Sequence, residues 1–168
     1  MSESPTPRLT RVRIQSADFD VAQELAQLRA LDARVGAVCA FVGTVRDRHA
    51  DAGAGSVSAM ELEHYPGMTE AAIETMIDAA QQRFDIRAAR VVHRVGVLQP
   101  GEQIVLVAVS SAHRAQAFQA CEFLMDYQKT QAPFWKKESS AAGTRWVDAR
   151  SSDDAALERW GLLSGNAG

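Results

Sequence analysis

Three lysines fall within nine positions, Lys129, Lys136 and Lys137, in a chain whose 15 other strongly basic residues are all Arg. A chain that uses Arg for ordinary surface charge and Lys only here points to a need for amines at this place. After Pro133 the segment Phe134-Trp135-Lys136-Lys137-Glu138 follows in strand-like spacing. A period of two puts Phe134, Lys136 and Glu138 on one face and Trp135 and Lys137 on the other. An ammonium beside a carboxylate and flanked by aromatics sits in a partly dry setting, where burial and neighbouring charge tune its pKa. Such an amine can bind an anion, transfer a proton or attack a carbonyl. The other reading is a solvated basic edge strand that discourages sheet aggregation.

His113 and Arg114 occupy the first turn of a helix expected over 112–130, where free N–H groups and the macrodipole favour negative charge. Two basic side chains there oppose the helix unless an anion, a phosphate or carboxylate, binds at that end. The alternative is that both point outward and pair with carboxylates elsewhere. Arg46 directly follows the apolar run ending Phe41-Val42-Gly43-Thr44-Val45, so its guanidinium emerges at a strand end beside a loop, a common location for a site. A surface pair such as Arg46 with Asp47 accounts for it equally well. Arg145 and Arg150 are further candidates near the lysine segment.

Several chemistries find no support. His49, His64, His93 and His113 show no H-x-x-x-H or H-E-x-x-H spacing, and G-x-G-x-x-G, P-loop and G-x-S-x-G patterns are missing. No metal site and no cofactor are expected. Cys39 and Cys121 form no C-x-x-C pair and read as small core hydrophobes. The net charge of −3, from 18 Lys plus Arg against 21 Asp plus Glu, disfavours a general nucleic-acid binder, so any anion site must be local.

The elements that must hold these side chains fit one domain. At 168 residues, 46% hydrophobic, folding buries about 70% of the unfolded surface around one core. Residues 1–7 and 161–168 are expected as a frayed amino end and a tail, with one domain over 8–160. No run approaches a membrane span and the amino end has no signal-peptide pattern, so a cytoplasmic location follows by default. Expected strands are 9–15, 36–45, 58–64, 90–98, 103–111, 134–139 and 144–148. The run 36–45 is apolar enough to be covered on both faces. Asp20, with Gln23 three residues on, caps a short helix bearing Val21, Leu25 and Leu28. Residues 47–56 read as a flexible loop. Helices follow over 69–84, capped by Thr69, over 112–130, with a stripe of Ala117, Phe118, Cys121, Leu124 and Met125, and over 153–160. Adjacent strand pairs imply an α+β domain with a largely antiparallel sheet and about four helices.

Five stretches, Phe41–Arg46, Leu62–Met68, His93–Gly96, Ser111–Arg114 and Lys129–Glu138, together resemble the large, catalytic subunit family of molybdopterin synthase, in order and with family-like spacing from about Val35 to Trp160. The resemblance implies an α/β-hammerhead fold and a homodimer of large subunits. Each would bind one small ubiquitin-like sulfur carrier, giving a heterotetramer. The carrier's C-terminal Gly-Gly thiocarboxylate would enter a pocket and deliver two sulfurs in succession to cyclic pyranopterin monophosphate, making the dithiolene of molybdopterin. On this resemblance Lys129 and Lys136 are the catalytic lysines and Arg46, His113, Arg114 and Arg150 contact anion and substrate. Phe41, Met125 and Glu138 neighbour the pocket, and some of these residues come from the opposite protomer. A non-catalytic carrier-binding scaffold that keeps the anion pocket is the alternative. The Gly/Ala-rich stretch 50–55 and the tail after Trp160 depart from the family pattern.

Overall fold

Asp20 accepts from the Gln23 amide at 3.1 Å and so starts helix α1 (Val21–Ala30), the first of four helices among the described residues. The structure, a computed structural model, describes residues 9–47, 57–140, 143–147 and 151–162. The expected amino-terminal end, most of the 47–56 loop, Arg150 and the tail from 163 onward lie outside these. The strands are β1 (Val12–Gln15), β2 (Ala37–Thr44), β3 (Val57–His64), β4 (Ala88–Arg94), β5 (Gly96–Leu98), β6 (Gln103–Ser111), β7 (Phe134–Ser140) and β8 (Gly143–Val147). The remaining helices are α2 (Met68–Arg83), α3 (Arg114–Gln131) and α4 (Ser151–Glu158). The result is an α+β fold whose strand pairs are antiparallel except β1 with β4.

Instead of one sheet there are two of four strands, ordered β1-β4-β6-β2 and β5-β3-β7-β8. The expected strand 90–98 is the reason. It breaks at Val95, and Gly96, at φ 93°, turns the chain from the first sheet into the second. A side chain at that φ would be strained, so the residue that changes sheets is glycine.

The first sheet is covered on both faces. Val91, Val105, Val107 and Val109 meet Ile73, Met76 and Ile77 of α2 and Phe123 and Leu124 of α3. On the other face Val92, Leu106 and Ala108 meet Phe19 and Leu28 beneath α1. Beside that second core, the buried Glu24 carboxylate accepts from Arg90, also buried, and from Arg13. The second sheet closes over a smaller cluster of Val45, Met60, Leu62 and Leu98.

Three expectations change. β2 is not covered on both faces but lies at the edge of the first sheet, with Phe41 40% exposed. A continuous apolar run reads alike whether its own chain or another molecule covers it. Phe118 does not belong to the buried stripe of α3; it is 62% exposed, one position off the face carrying Ala117, Cys121 and Leu124. Thr69 is not the cap of α2. Gly67 holds that position, its amide donating to Glu70 at 2.6 Å, while the buried Thr69 hydroxyl accepts from the Tyr65 amide and donates to the Pro133 carbonyl, both at 3.0 Å. That hydroxyl ties the start of α2 to the entrance of β7.

Candidate active site

β7 presents its side chains as period two requires. Lys136 is registered opposite Leu62 and Glu138 opposite Met60, two buried residues of β3, so both charged groups stand on the inward face. The Lys136 amine lies 3.2 Å from the Glu138 carboxylate, with side chains 31% and 5% exposed. A buried carboxylate needs such a partner, because desolvation without one is costly. Lys137 is on the opposite face, its ammonium 5.7 Å from the Trp146 ring centroid. Trp135 shares that outer face and meets Tyr65 edge-on at 3.8 Å.

Lys129 comes to the same region by way of helix α3. That helix begins just after β6 ends and packs on β6 and β2, with the Cys121 thiol over the Val107 carbonyl at 3.7 Å. It therefore runs back along the sheet for about 27 Å and delivers Lys129, exposed in its last turn, to the end where β6 begins. Met125, partly buried, lies one turn earlier on the same side. Arg46 reaches this end too, because β2 pairs antiparallel with β6 and Thr44 is registered with Gln103. Val45 is pinned there, donating to the Glu102 carbonyl at 2.9 Å and accepting from the Gly101 amide at 2.7 Å. Arg46, Lys129, Lys136 and Glu138 thus share one end of the molecule.

His113 and Arg114 do not join them within one chain. His113 is the N-cap of α3 and Arg114 its first residue, both exposed, at the other end of β6. That end is tightly built: the Gly36 amide donates to the Ser111 carbonyl at 2.9 Å, and a Cβ on Gly36 would stand 2.3 Å from the Ala112 carbonyl oxygen. The nine residues of β6 separate the two ends by roughly 25 Å. Phe41 lies between them on the open edge strand, opposite Val107. Arg150 is outside the described residues, as is the Arg145 side chain.

The residues that sequence reasoning missed stand behind the amines. His93, the next-to-last residue of β4, is buried, its Nδ1 2.8 Å from the Arg94 carbonyl and its ring stacked on Phe134 at 3.9 Å and 18°. His64, opposite Phe134 in the register, lies 3.6 Å from the Glu70 carboxylate. Arg94, buried, gathers three chain segments by donating to the carbonyls of Ser16 at 3.1 Å and Gln103 at 3.0 Å and to Glu102 at 3.4 Å. The motif containing His93 and Arg94 was visible, but its contacts lie up to 78 positions away.

Burial pushes the His93 imidazole down to about 4, with the positive charge of Lys129 and His64 acting in the same direction and the Arg94 carbonyl against it. The ring is therefore neutral at pH 7, and since a carbonyl only accepts, Nδ1 carries the hydrogen. Above its ordinary value of 6.5 the group is neutral in both states and contributes nothing to the pH dependence. Below it the unfolded chain takes up a proton that the folded chain refuses, so stability falls as pH drops toward 4, by up to ~3 kcal/mol. Urea unfolding at pH 7 and pH 4.5 should show that loss in the wild type and a smaller one in His93→Phe; equal losses would remove His93 as the cause.

Cys121 is buried, as expected, and burial pushes its thiol up to about 12, while Cys39 is only partly buried. A thiol held protonated is no nucleophile. Among the described residues no cluster of three or more His, Cys, Asp or Glu could hold a metal, and no helix is long and apolar enough to cross a membrane.

The arrangement can hold negatively charged groups against two amines and a guanidinium, with one amine paired to a carboxylate. Comparison with known proteins identifies the family. The family described as MoaE protein matches residues 14–131. A molybdopterin synthase catalytic subunit from Ralstonia nicotianae is 59% identical over 156 residues, 93% of this chain and 87% of the relative. Among solved structures, the molybdopterin biosynthesis MoaE protein of Burkholderia ambifaria superposes with a TM-score of 0.78 at 55% identity, over 92% of this chain and 99% of that one. A complex of subunits 1 and 2 of the Helicobacter pylori molybdopterin-converting factor shares the fold, with a TM-score of 0.67 at 21% identity over 83% and 92% of the two chains.

Proposed function

Because the chain belongs to the MoaE family, the catalytic subunits of molybdopterin synthase, we propose that it is the sulfurtransferase half of that enzyme, a single catalytic domain over residues 8–160 working in the cytoplasm. A small ubiquitin-like carrier docks its C-terminal Gly-Gly thiocarboxylate against the lysine end, and two sulfurs pass in succession to cyclic pyranopterin monophosphate. The observation that carries this reading is the inward Lys136 amine, 3.2 Å from the buried Glu138 carboxylate, at the end of the molecule that also holds Lys129 and Arg46.

Both reactants are anionic, the precursor through its cyclic phosphate and the carrier through its tail, so they repel one another on approach. Fixed positive groups offset that repulsion before reaction and cost no reorganisation during it. Lys129 and Lys136 are the catalytic amines in this reading; Arg46 and Arg150 hold the anions, and Phe41 and Met125 wall the pocket. The sulfur arrives on the carrier, so the inert Cys121 is no obstacle. Mixing the purified chain with thiocarboxylated carrier and precursor should yield the dithiolene product. Tail binding without product would replace this reading with a carrier-binding scaffold.

The site is completed in a dimer. His113 and Arg114 stand too far from Lys129 in one chain to share its anion, whereas the open β2 edge and the exposed Phe41 and Phe118 offer a surface for a second copy. A homodimer in which one chain's His113 and Arg114 meet its partner's lysines makes a sharp prediction. Chains carrying Lys129→Ala and chains carrying Arg114→Ala, each inactive alone, should recover about a quarter of wild-type activity when mixed and re-dimerised, since half the dimers then hold one intact site. No recovery would mean that the two residues act within one chain.

A further inference from the structure

We propose that His93 is a positioning residue for the amine site. Its ring is the fixed platform on which Phe134 seats the start of β7, and through that strand it sets where the Lys136 amine stands relative to Lys129. The inference rests on the sulfur transfer proposed above for its kinetic readout only.

The two amines ride on different frames. Lys129 lies in the last turn of a helix packed on the first sheet, and Lys136 belongs to a strand of the second. β4 is an interior strand of the first sheet, paired on both sides, and its register with β6 runs unbroken to His93 opposite Val105. The His93 ring is held in plane at Nδ1 by the Arg94 carbonyl at 2.8 Å. Against that ring lies Phe134, the first residue of β7, nearly parallel at 3.9 Å. The residue before it is fixed from another side, the Pro133 carbonyl accepting from Thr69 at 3.0 Å. The entrance of β7 is thus located by the stack, by Thr69 and by its register with His64, and of these only His93 belongs to the sheet beneath Lys129. Lys136 follows two residues later on the face that carries Phe134, so a shift or tilt at the stack passes directly to the amine.

An imidazole suits this task better than a purely apolar ring. It stacks flat, and its remaining N–H anchors it to the backbone so that the plane cannot turn. Reactive groups misplaced by about 1 Å can lose up to ~100-fold in rate, so a platform that fixes their spacing affects turnover without touching substrate.

The test uses the fact that the chain contains only three lysines, each a separate signal once its amine carries carbon-13 methyl groups. His93→Ala is expected to lower kcat about tenfold while KM for carrier and precursor stays within about twofold, and His93→Phe, which restores the stack, should recover most of that loss. In the lysine spectrum His93→Ala should move the Lys136 signal and leave Lys137, on the opposite face over Trp146, in place. Wild-type kcat in His93→Ala with an unmoved Lys136 signal would overturn the proposal, as would a Lys137 signal that moves as far as Lys136. Should His93→Ala fail to fold, Phe134→Leu removes the other half of the stack and must move Lys136 alone; an unmoved Lys136 there also overturns it. A wild-type chain that forms no product would refute the sulfur-transfer reading instead, and the spectra, which need no turnover, would still decide the role of His93.

Discussion

Replacing Lys129 with Ala is expected to lower turnover at least ~100-fold, the loss typical when a preorganised charge is removed from a developing anion. The side chain is exposed in the last turn of α3, so its removal leaves no buried cavity and should change stability by no more than ~0.5 kcal/mol. A large kinetic effect with an unchanged melting curve therefore isolates chemistry from folding. Lys137→Ala is the matched control: it removes an equal charge one residue from Lys136, but on the outer face over Trp146, and should stay within about twofold of wild type. The comparison would be read as single-turnover rates with saturating thiocarboxylated carrier. Full turnover in Lys129→Ala would remove that amine from the chemistry, and equal losses in the two variants would show that net charge near the site matters and the individual amine does not.

Breaking the Glu24–Arg90 pair should give the largest loss of stability. Both side chains are buried, and Arg13 donates to the same carboxylate. Glu24→Ala leaves the Arg90 guanidinium buried with no counter-charge, which costs about 3–5 kcal/mol. In urea the midpoint should fall with the slope unchanged, since the same surface is exposed on unfolding. The pair need not be strongly stabilising in itself, because much of that loss is the penalty of stranding one charge. Glu24→Met combined with Arg90→Met should consequently lie much nearer the wild type than Glu24→Ala does. A midpoint change in Glu24→Ala worth less than about 1 kcal/mol would mean that water reaches Arg90 once the carboxylate is gone.

What could be read from the chain in advance follows the range of the forces involved. The inward face of β7 was legible because alternation is local: Lys136 and Glu138 had to share a side, and the register with Leu62 and Met60 identifies it as the buried one. The cap at Asp20 was legible for the same reason. The open edge of β2 was not, since apolarity tells that a surface is covered and not by what. Thr69 was mistaken for a cap because a hydroxyl near a helix start usually is one, whereas its partner here is Pro133, 64 positions on. His93 lay in a visible motif, but its role was not legible, its stacking partner being 41 residues away. The separation of His113 from Lys129, by contrast, could have been foreseen. Sixteen residues of helix between them measure about 24 Å, too far for one small anion to touch both.

The turn at Gly96, where the chain leaves one sheet for the other, gives the amine pair an adjustable spacing. The gap between Lys129 and Lys136 depends on how the two sheets are joined, at Gly96 and at the His93–Phe134 stack. Substitutions at the join can therefore lengthen or shorten the reach of the site while every residue that meets the reactants stays the same, a route by which relatives with identical pockets could come to differ in speed.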